Sequence, residues 1–244
     1  MVRFQELAIL GMVLVMAGCG ASAGGVNIWD AIENGDAEAV KTFALADGDL
    51  NVRNMNGDTP LWVALTEKNR ESYEALLKYG ADPNVIMSGK RVVTHWAATE
   101  DDPWWLRMAL EYGADPNLVN TGSGRPSEGP PLKFAISGVD SRLDNVRLLV
   151  EHGADVEKKD LYNCYPLSMA AAQTKFDIVL YLLESGADYH QAECGTKPFL
   201  ERMRLLVENR NRWFRLEEDR KALDVVRVWL EEHGEDLGEP LPAE

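Results

Sequence analysis

The hexapeptide YGADPN stands at residues 79–84 and again, letter for letter, at residues 112–117. Related sequences, HGADVE, SGADYH and HGEDLG, begin at residues 152, 185 and 233. Successive marker glycines lie 33, 40, 33 and 48 residues apart, at Gly80, Gly113, Gly153, Gly186 and Gly234. An interval of 33 residues with two longer ones predicts an array of repeated units that carries insertions.

The segment GDTPLWVAL at residues 57–65 indicates how one unit begins. Gly57 can adopt the positive φ of a turn, Thr59 can cap a helix, and Pro60 suits a first helical turn. A second helix is predicted from about Glu71, with Gly80 as its left-handed C-cap. Apolar residues recur at helical spacing in the two helices, at Leu61, Ala64 and Leu65 and at Tyr73, Leu76 and Leu77. Because two short helices cannot bury their apolar faces alone, equivalent pairs are expected to stack.

This unit resembles the ankyrin repeat, whose pattern is a β-turn, a T-P-L-H-x-A-A opening, two helices and a G-A-D ending. Later openings keep part of the pattern, as VVTHWAA (92–98), PPLKFAI (130–136) and YPLSMAA (165–171), whereas TKPFLER (196–202) is degenerate. IWDAIENGDAEAV, within residues 26–53, resembles a divergent capping unit with Gly35-Asp36 at its inter-helix turn. The resemblance implies an all-α ankyrin-repeat solenoid of about six helix pairs with β-hairpin fingers over residues 26–236, followed by a tail at 237–244.

Two segments account for the longer intervals between marker glycines. NTGSGRPSEGPP (120–131) is expected to lengthen one hairpin as a solvated loop. ENRNRWFRLEEDRKAL (208–223) is charged and compatible with helix, so we expect it to extend the helices of the last unit.

The amino-terminal residues resemble a bacterial lipoprotein leader. Arg3 precedes an eleven-residue apolar run, Leu7–Ala17, which as a helix would rise only about 17 Å and could not span roughly 30 Å of hydrocarbon. LVMAGC then matches a lipobox, with Met16 where leucine is commoner; a buried apolar strand or helix is the alternative. The resemblance implies a cleaved leader at 1–18 and a lipidated Cys19 opening a linker at 19–25. With Gly20 rather than Asp after the cysteine, that family's sorting rule favours the outer membrane.

Cys164 and Cys194 would then lie in an oxidising compartment and in neighbouring repeats. A disulfide is conceivable, but stacked repeats are expected to hold finger tips about 10 Å apart, beyond bonding reach. The spacing therefore favours an unbonded pair.

The formal net charge of −15 disfavours nucleic-acid binding and adhesion to anionic lipid through the surface as a whole. No hydrolase, metalloprotease or phosphate-loop motif is found in the sequence, so we expect no catalytic residue, cofactor or metal site. The adjacent carboxylates Glu100, Asp101 and Asp102 invite a metal interpretation, but Asp102 before Pro103 fits a helix N-cap better. At the T-P-L-H position, the resemblance implies that His95 bonds backbone between hairpins.

Mapping the ankyrin repeat onto the chain places candidate partner-binding residues on the fingers and the concave side of the first helices. They are Met55, Asp58, Trp62, Glu67, His95, Glu100, Tyr162, Tyr165 and Gln173, overhung by the 120–129 loop. Trp62 and Tyr162 lead, because interface anchors are often aromatic; packing between fingers is the alternative. Trp105 fits an apolar stripe, which leaves the adjacent Trp104 partly exposed.

A lipoprotein leader joined to ankyrin repeats resembles the immunity lipoproteins that antagonise antibacterial phospholipases of type VI secretion. The resemblance implies a non-enzymatic module, monomeric when free, on the periplasmic face of the envelope and with a phospholipase toxin as its protein partner. The alternative is an envelope scaffold or stress-protection factor with another client. A lipase or secretion-spike gene next to this one would favour the immunity hypothesis.

Overall fold

The computed structural model describes residues 21–87, 92–119, 129–138, 141–195 and 197–241. The chain divides after residue 89 into two compact units. Within the described ranges, no helix is both long and apolar enough to cross a membrane. The leader at residues 1–18, Cys19 and most of the 120–129 loop lie outside these ranges.

The first unit consists of a small hairpin followed by two helix pairs. Its elements are β1 (Ser22–Ala23), antiparallel to β2 (Val26–Asn27), then α1 (Ile28–Glu33), α2 (Ala37–Leu45), α3 (Pro60–Thr66) and α4 (Arg70–Lys78). Gly35 has a φ of 67° and Asp36 caps α2, which confirms the inter-helix turn of the capping unit. Thr59 caps α3 by accepting a hydrogen bond from the Trp62 amide, with Pro60 in the first turn as predicted.

The second unit contains four further helix pairs, so the prediction of about six pairs is confirmed. Its elements are α5 (Val93–Ala97), α6 (Trp104–Glu111), α7 (Pro131–Ile136), α8 (Leu143–Glu151), α9 (Pro166–Ala172), α10 (Phe176–Glu184), β3 (Glu193–Cys194), β4 (Lys197–Pro198), α11 (Phe199–Glu208), α12 (Arg210–Trp213) and α13 (Glu217–Glu232). The 208–223 segment is largely helical, because it forms α12 and the first turns of α13. The core of both units is the apolar seam between helices, where the predicted Tyr73, Leu76 and Leu77 are buried.

Each copy of the repeated hexapeptide ends a second helix in the same way. The five marker glycines have φ between 88° and 103°, the left-handed region that glycine adopts without strain. The next amide reaches back to the carbonyl five residues earlier, as from Ala81 to Leu76 at 2.9 Å. In the worn copy HGEDLG, Glu235 makes the equivalent bond to Leu230 at 3.0 Å, so the glycine and the turn persist although the alanine is lost.

The last residues of the hexapeptide begin the finger and bond the next copy. The Asp115 carboxylate accepts a hydrogen bond from the Asn117 amide at 2.8 Å, a turn that short polar side chains favour. The Asn117 side chain then accepts one from the Asp155 amide of the next repeat, also at 2.8 Å. Asn51 does the same for Asp82 in the first unit, at 2.9 Å. The copy at residues 112–117 therefore closes a helix, turns the chain and bonds its neighbour.

Polar side chains at or near the start of a second helix also bond the preceding repeat. They donate to backbone carbonyls at or just beyond the end of its first helix. The pairs are Asn69 with Ile32 (2.8 Å), Asn145 with Glu100 (2.7 Å) and Lys175 with Ile136 (2.8 Å). Lys175 is only 7 % exposed, and its charge lies at the negative end of a helix dipole. For Ile136, at the end of α7, the lysine supplies a donor to a helix-end carbonyl that the helix itself leaves unsatisfied.

Candidate protein-binding fingers

A finger is the segment that joins the second helix of one repeat to the first helix of the next. The expectation of β-hairpin fingers holds for one of them, where β3 pairs with β4; elsewhere in the described residues the fingers are turns. Two fingers share one tip geometry. Asn54 accepts hydrogen bonds from the amides two and four residues later, at 2.9 and 3.0 Å, and Asp160 does so at 2.8 and 3.0 Å. Positive φ values at Gly57 and Asn163 complete the turns.

These turns present apolar side chains to solvent. Met55 is 79 % exposed at the tip of the first finger. Leu161 occupies the equivalent position in the second unit and is 50 % exposed, and its neighbour Tyr162 is 58 % exposed. In each unit the tip places large apolar area in water, which is the arrangement expected of an interface anchor.

The finger that carries Tyr162 is fixed from below by two lysines. Lys133 lies 3.3 Å from the Asp160 carboxylate, and both side chains are at least nine-tenths buried. The same ammonium group lies 5.2 Å from the centre of the Tyr162 ring, within cation–π range. Lys158 donates a hydrogen bond to the Asn117 carbonyl of the preceding finger at 2.8 Å. The tip turn is therefore held before any partner arrives.

A disulfide joins this finger to the next, contrary to the expectation that Cys164 and Cys194 are unbonded. Their Cα atoms are 4.1 Å apart. The expectation was wrong because Cys164 lies at the base of its finger rather than at the tip. There the two fingers meet closely enough for the Tyr165 amide to donate to the Glu193 carbonyl at 3.0 Å. Lys159 strengthens the same junction, 3.5 Å from Glu193 and 4.3 Å from the centre of the Tyr165 ring.

Three of the predicted contact residues are buried, and the expectation that they face a partner is wrong. Trp62 is 6 % exposed, because the fourth position of the opening motif faces protein rather than solvent; His95 and Lys133 occupy the same position and are also buried. Asp58 is 7 % exposed, and its amide closes the turn begun by Asn54. Replacing Trp62 would open a cavity in the core, so it would not test partner binding.

His95 confirms the bond that the resemblance implied. Its Nε2 lies 2.8 Å from the Gly129 carbonyl of the next finger, and its ring meets Phe134 edge-on. Burial lowers the pKa of His95 below its usual value, although hydrogen bonds to backbone oppose this shift. The ring is thus held neutral, and Nε2–H donates to the carbonyl.

The remaining predicted contact residues are accessible. Glu67 is exposed beyond the end of α3, and Glu100, Tyr165 and Gln173 are half-buried. The Glu100 backbone carbonyl is used by Asn145. Whether these four, Met55 and Tyr162 bind a partner stays a prediction.

Trp96 and Leu161 are exposed but were not among the predicted residues. Trp96 is 46 % exposed on α5, directly after the buried His95, and Leu161 stands beside Tyr162 at the finger tip. Alignment of the finger turns would have found Leu161, because it matches Met55. The exposure of Trp96 could have been inferred if the preceding position, His95, had been assigned to the buried face of the helix. The other tryptophan predictions are confirmed: Trp105 is buried and Trp104 is half-buried.

The carboxylates at residues 100–102 are also explained. The Asp102 side chain accepts a hydrogen bond from the Trp104 amide at 3.1 Å at the start of α6, but the N-cap position is held by Pro103 rather than by Asp102 as predicted. Across the described part of the chain, no group of three or more His, Cys, Asp or Glu side chains is placed to hold a metal ion.

Comparison with known proteins agrees with this geometry. The family model described as ankyrin repeats (3 copies) matches residues 28–120 and 94–193, which together span more than half of the chain. No curated protein matches the sequence significantly. The predicted all-α ankyrin fold is confirmed, and such repeats form modules for protein–protein interaction. The chain belongs to the ankyrin-repeat family.

Proposed function

We propose that this ankyrin module is tethered to the periplasmic face of the envelope, where it captures and neutralises an antibacterial phospholipase delivered by type VI secretion. The observation that carries the proposal is the fixed, exposed Leu161–Tyr162 tip, in a chain that begins with a lipoprotein-like leader. The tip supplies the capture surface. The leader would place the module at the periplasmic face of the envelope, where such a toxin acts.

The tip suits capture because its geometry exists in the free protein. The buried Lys133–Asp160 pair and the Cys164–Cys194 disulfide hold the finger on both sides. A preorganised loop loses little conformational entropy on binding, so more of the contact energy remains as affinity. Leu161 and Tyr162 together offer one aliphatic and one aromatic anchor.

Two features support an envelope location. LVMAGC ends at Cys19, and a lipid on that residue would hold the module within reach of the membrane. The disulfide supports export independently, because such bonds persist in oxidising compartments and are rare in the cytosol. The net charge of −15 would also speed association with a basic surface on a toxin.

Neutralisation of this kind requires binding but no chemistry from the module. A partner held against the fingers could be blocked at its lipid-binding face, while the tether keeps the complex beside the membrane. The resemblance to type VI immunity lipoproteins suggests phospholipases as the class of toxin.

Protection of cells tests the proposal. An antibacterial phospholipase of the type VI class is directed to the periplasm and co-expressed with the chain or its variants. The parent should protect, whereas Leu161→Ala with Tyr162→Ala should lose protection and bind the purified toxin at least tenfold more weakly. Tyr112→Ala is the control, because Tyr112 is 39 % exposed at the end of α6. Protection that survives loss of both tip side chains would contradict the proposed surface.

The tether is tested separately with Cys19→Ser. The variant should accumulate as an uncleaved precursor that takes up no labelled palmitate, and its protection should fall. Normal palmitate labelling of the variant would refute the lipid anchor while leaving the capture surface open to its own test.

A further inference from the structure

The segment at residues 209–216, which includes α12, is basic, whereas the whole chain is acidic. Its sequence, NRNRWFRL, holds three arginines and no carboxylate, in a protein with a net charge of −15. Trp213 is 52 % exposed and Leu216 is 64 % exposed, and Arg212 and Arg215 are exposed beside them. These four residues are named the 212–216 patch.

The segment is held by contacts with α10 and α13. Phe214 is buried and meets Phe176 edge-on, with 5.5 Å between ring centres. Arg220 donates to the Phe214 carbonyl at 2.7 Å, and Arg210 pairs with Asp224. Because Phe214 is fixed in the core, its neighbours on both sides are presented at the surface.

The acidic groups nearest the patch are partly engaged by other arginines. Asp224 is paired with Arg210, and Glu217 lies 3.4 Å from Arg220. Among the described residues, neither Arg212 nor Arg215 forms an ion pair. Two more acidic residues follow in the first turn of α13, where the positive end of the helix dipole offsets them: Glu218 and Asp219.

The carboxyl-terminal tail adds a third apolar side chain beside this segment. The Leu241 amide donates to the Glu208 carbonyl at 2.9 Å, and Asn211 donates to the Leu241 carbonyl at 2.7 Å. Leu241 is 51 % exposed. Apolar and basic groups therefore alternate across one small area.

We propose that the 212–216 patch binds anionic phospholipid headgroups and so forms a second membrane contact on this protein. Guanidinium groups bond phosphate strongly and with two donors. Tryptophan and leucine favour the boundary between headgroups and acyl chains, and flanking arginines remain at the phosphates. An acidic protein surface would use the arginines but has no comparable need for the two exposed apolar side chains beside them. The contact requires neither Cys19 nor a toxin, so it goes beyond the proposed function.

The surrounding negative charge limits this contact to a small area. Surface charges are screened beyond about 8 Å at physiological ionic strength, so the more distant acidic surface contributes little where the patch touches a membrane. The net charge that disfavours adhesion through the whole surface would then favour orientations in which this segment faces the membrane.

Vesicle binding tests the assignment. The full chain carrying Cys19→Ser is mixed with vesicles of neutral phosphatidylcholine or of phosphatidylcholine with phosphatidylglycerol. The ratio of the two partition coefficients is measured, which cancels any binding of the apolar leader that both vesicles share. Each arginine at an anionic surface contributes about a fivefold change. Arg212→Ala with Arg215→Ala should therefore lower the ratio about 25-fold, and Trp213→Ala should lower binding to both vesicles.

A matched pair of arginines provides the control. Arg107→Ala with Arg147→Ala removes the same charge from exposed helix faces of the same unit, and should change the ratio less than twofold. Quenching by brominated lipid should fall when Trp213→Phe is introduced. An equal ratio for the parent and the Arg212/Arg215 variant would overturn the proposal, as would loss of an acidic protein partner without any change on vesicles. Neither result would bear on toxin capture, which is measured by protection.

Discussion

Removal of the disulfide between Cys164 and Cys194 should destabilise the second unit substantially. The two cysteines are 30 residues apart in sequence, and a cross-link over a loop of that size lowers the entropy of the unfolded chain. The stabilisation expected from this effect is about 3 to 4 kcal/mol at 25 °C. Cys164→Ala with Cys194→Ala should lower the urea midpoint by about 1 M or more, given a slope of 2–3 kcal/mol/M.

Urea unfolding followed by circular dichroism measures this change, with Cys19→Ser present in every sample to remove the third thiol. Reductant should bring the parent to the midpoint of the double variant, and it should leave the double variant unchanged. Finding two titratable thiols in the native parent, or equal midpoints for the parent and the double variant, would refute the argument that the bases of these fingers are joined.

Three further predictions concern the core and its polar contacts. Leu76→Ala and Leu148→Ala should each lower the free energy of unfolding by about 2–5 kcal/mol, because both side chains are buried; an unchanged melting midpoint in both would reject the predicted packing. Lys175→Met should cost about 1–3 kcal/mol by leaving a helix-end carbonyl buried without its donor, and a neutral effect in urea unfolding would argue against that bond. Burial lowers the pKa of His95, so as the pH falls the unfolded chain protonates this residue before the folded chain does. The stability that neutral His95 contributes is therefore complete above about pH 6.5 and declines as the pH falls below that value. His95→Gln should flatten that part of the stability–pH profile, and an unaltered slope would show that another group is responsible.

The fold could be predicted because its signals are local. The left-handed end of a helix favours glycine, and the turn that follows favours aspartate two residues later. The two residues therefore recur in the sequence at a fixed spacing. Gly80 and Asp82 show this in the first unit, and even the worn copy at Gly234 keeps its turn.

The contact residues were harder to predict because exposure depends on neighbouring repeats. Trp62 belongs to a first helix, yet its position faces protein and is buried. The disulfide was missed for a related reason: spacing places Cys164 in a finger but does not distinguish its closely packed base from its tip. The exposure of Tyr162 could be predicted because this residue stands in the middle of the finger turn.

Photo-crosslinking from the finger tip is the direct test of whether this tip captures a phospholipase at the envelope. A benzophenone amino acid replaces Tyr162 in the host cell, and a matched substitution replaces the exposed Tyr112 at the end of α6. After irradiation, we expect a membrane-associated adduct from position 162 that contains a phospholipase, and none from position 112. An adduct from position 112 alone, or a position-162 adduct confined to the soluble cytoplasm, would contradict capture by the fingers at the envelope.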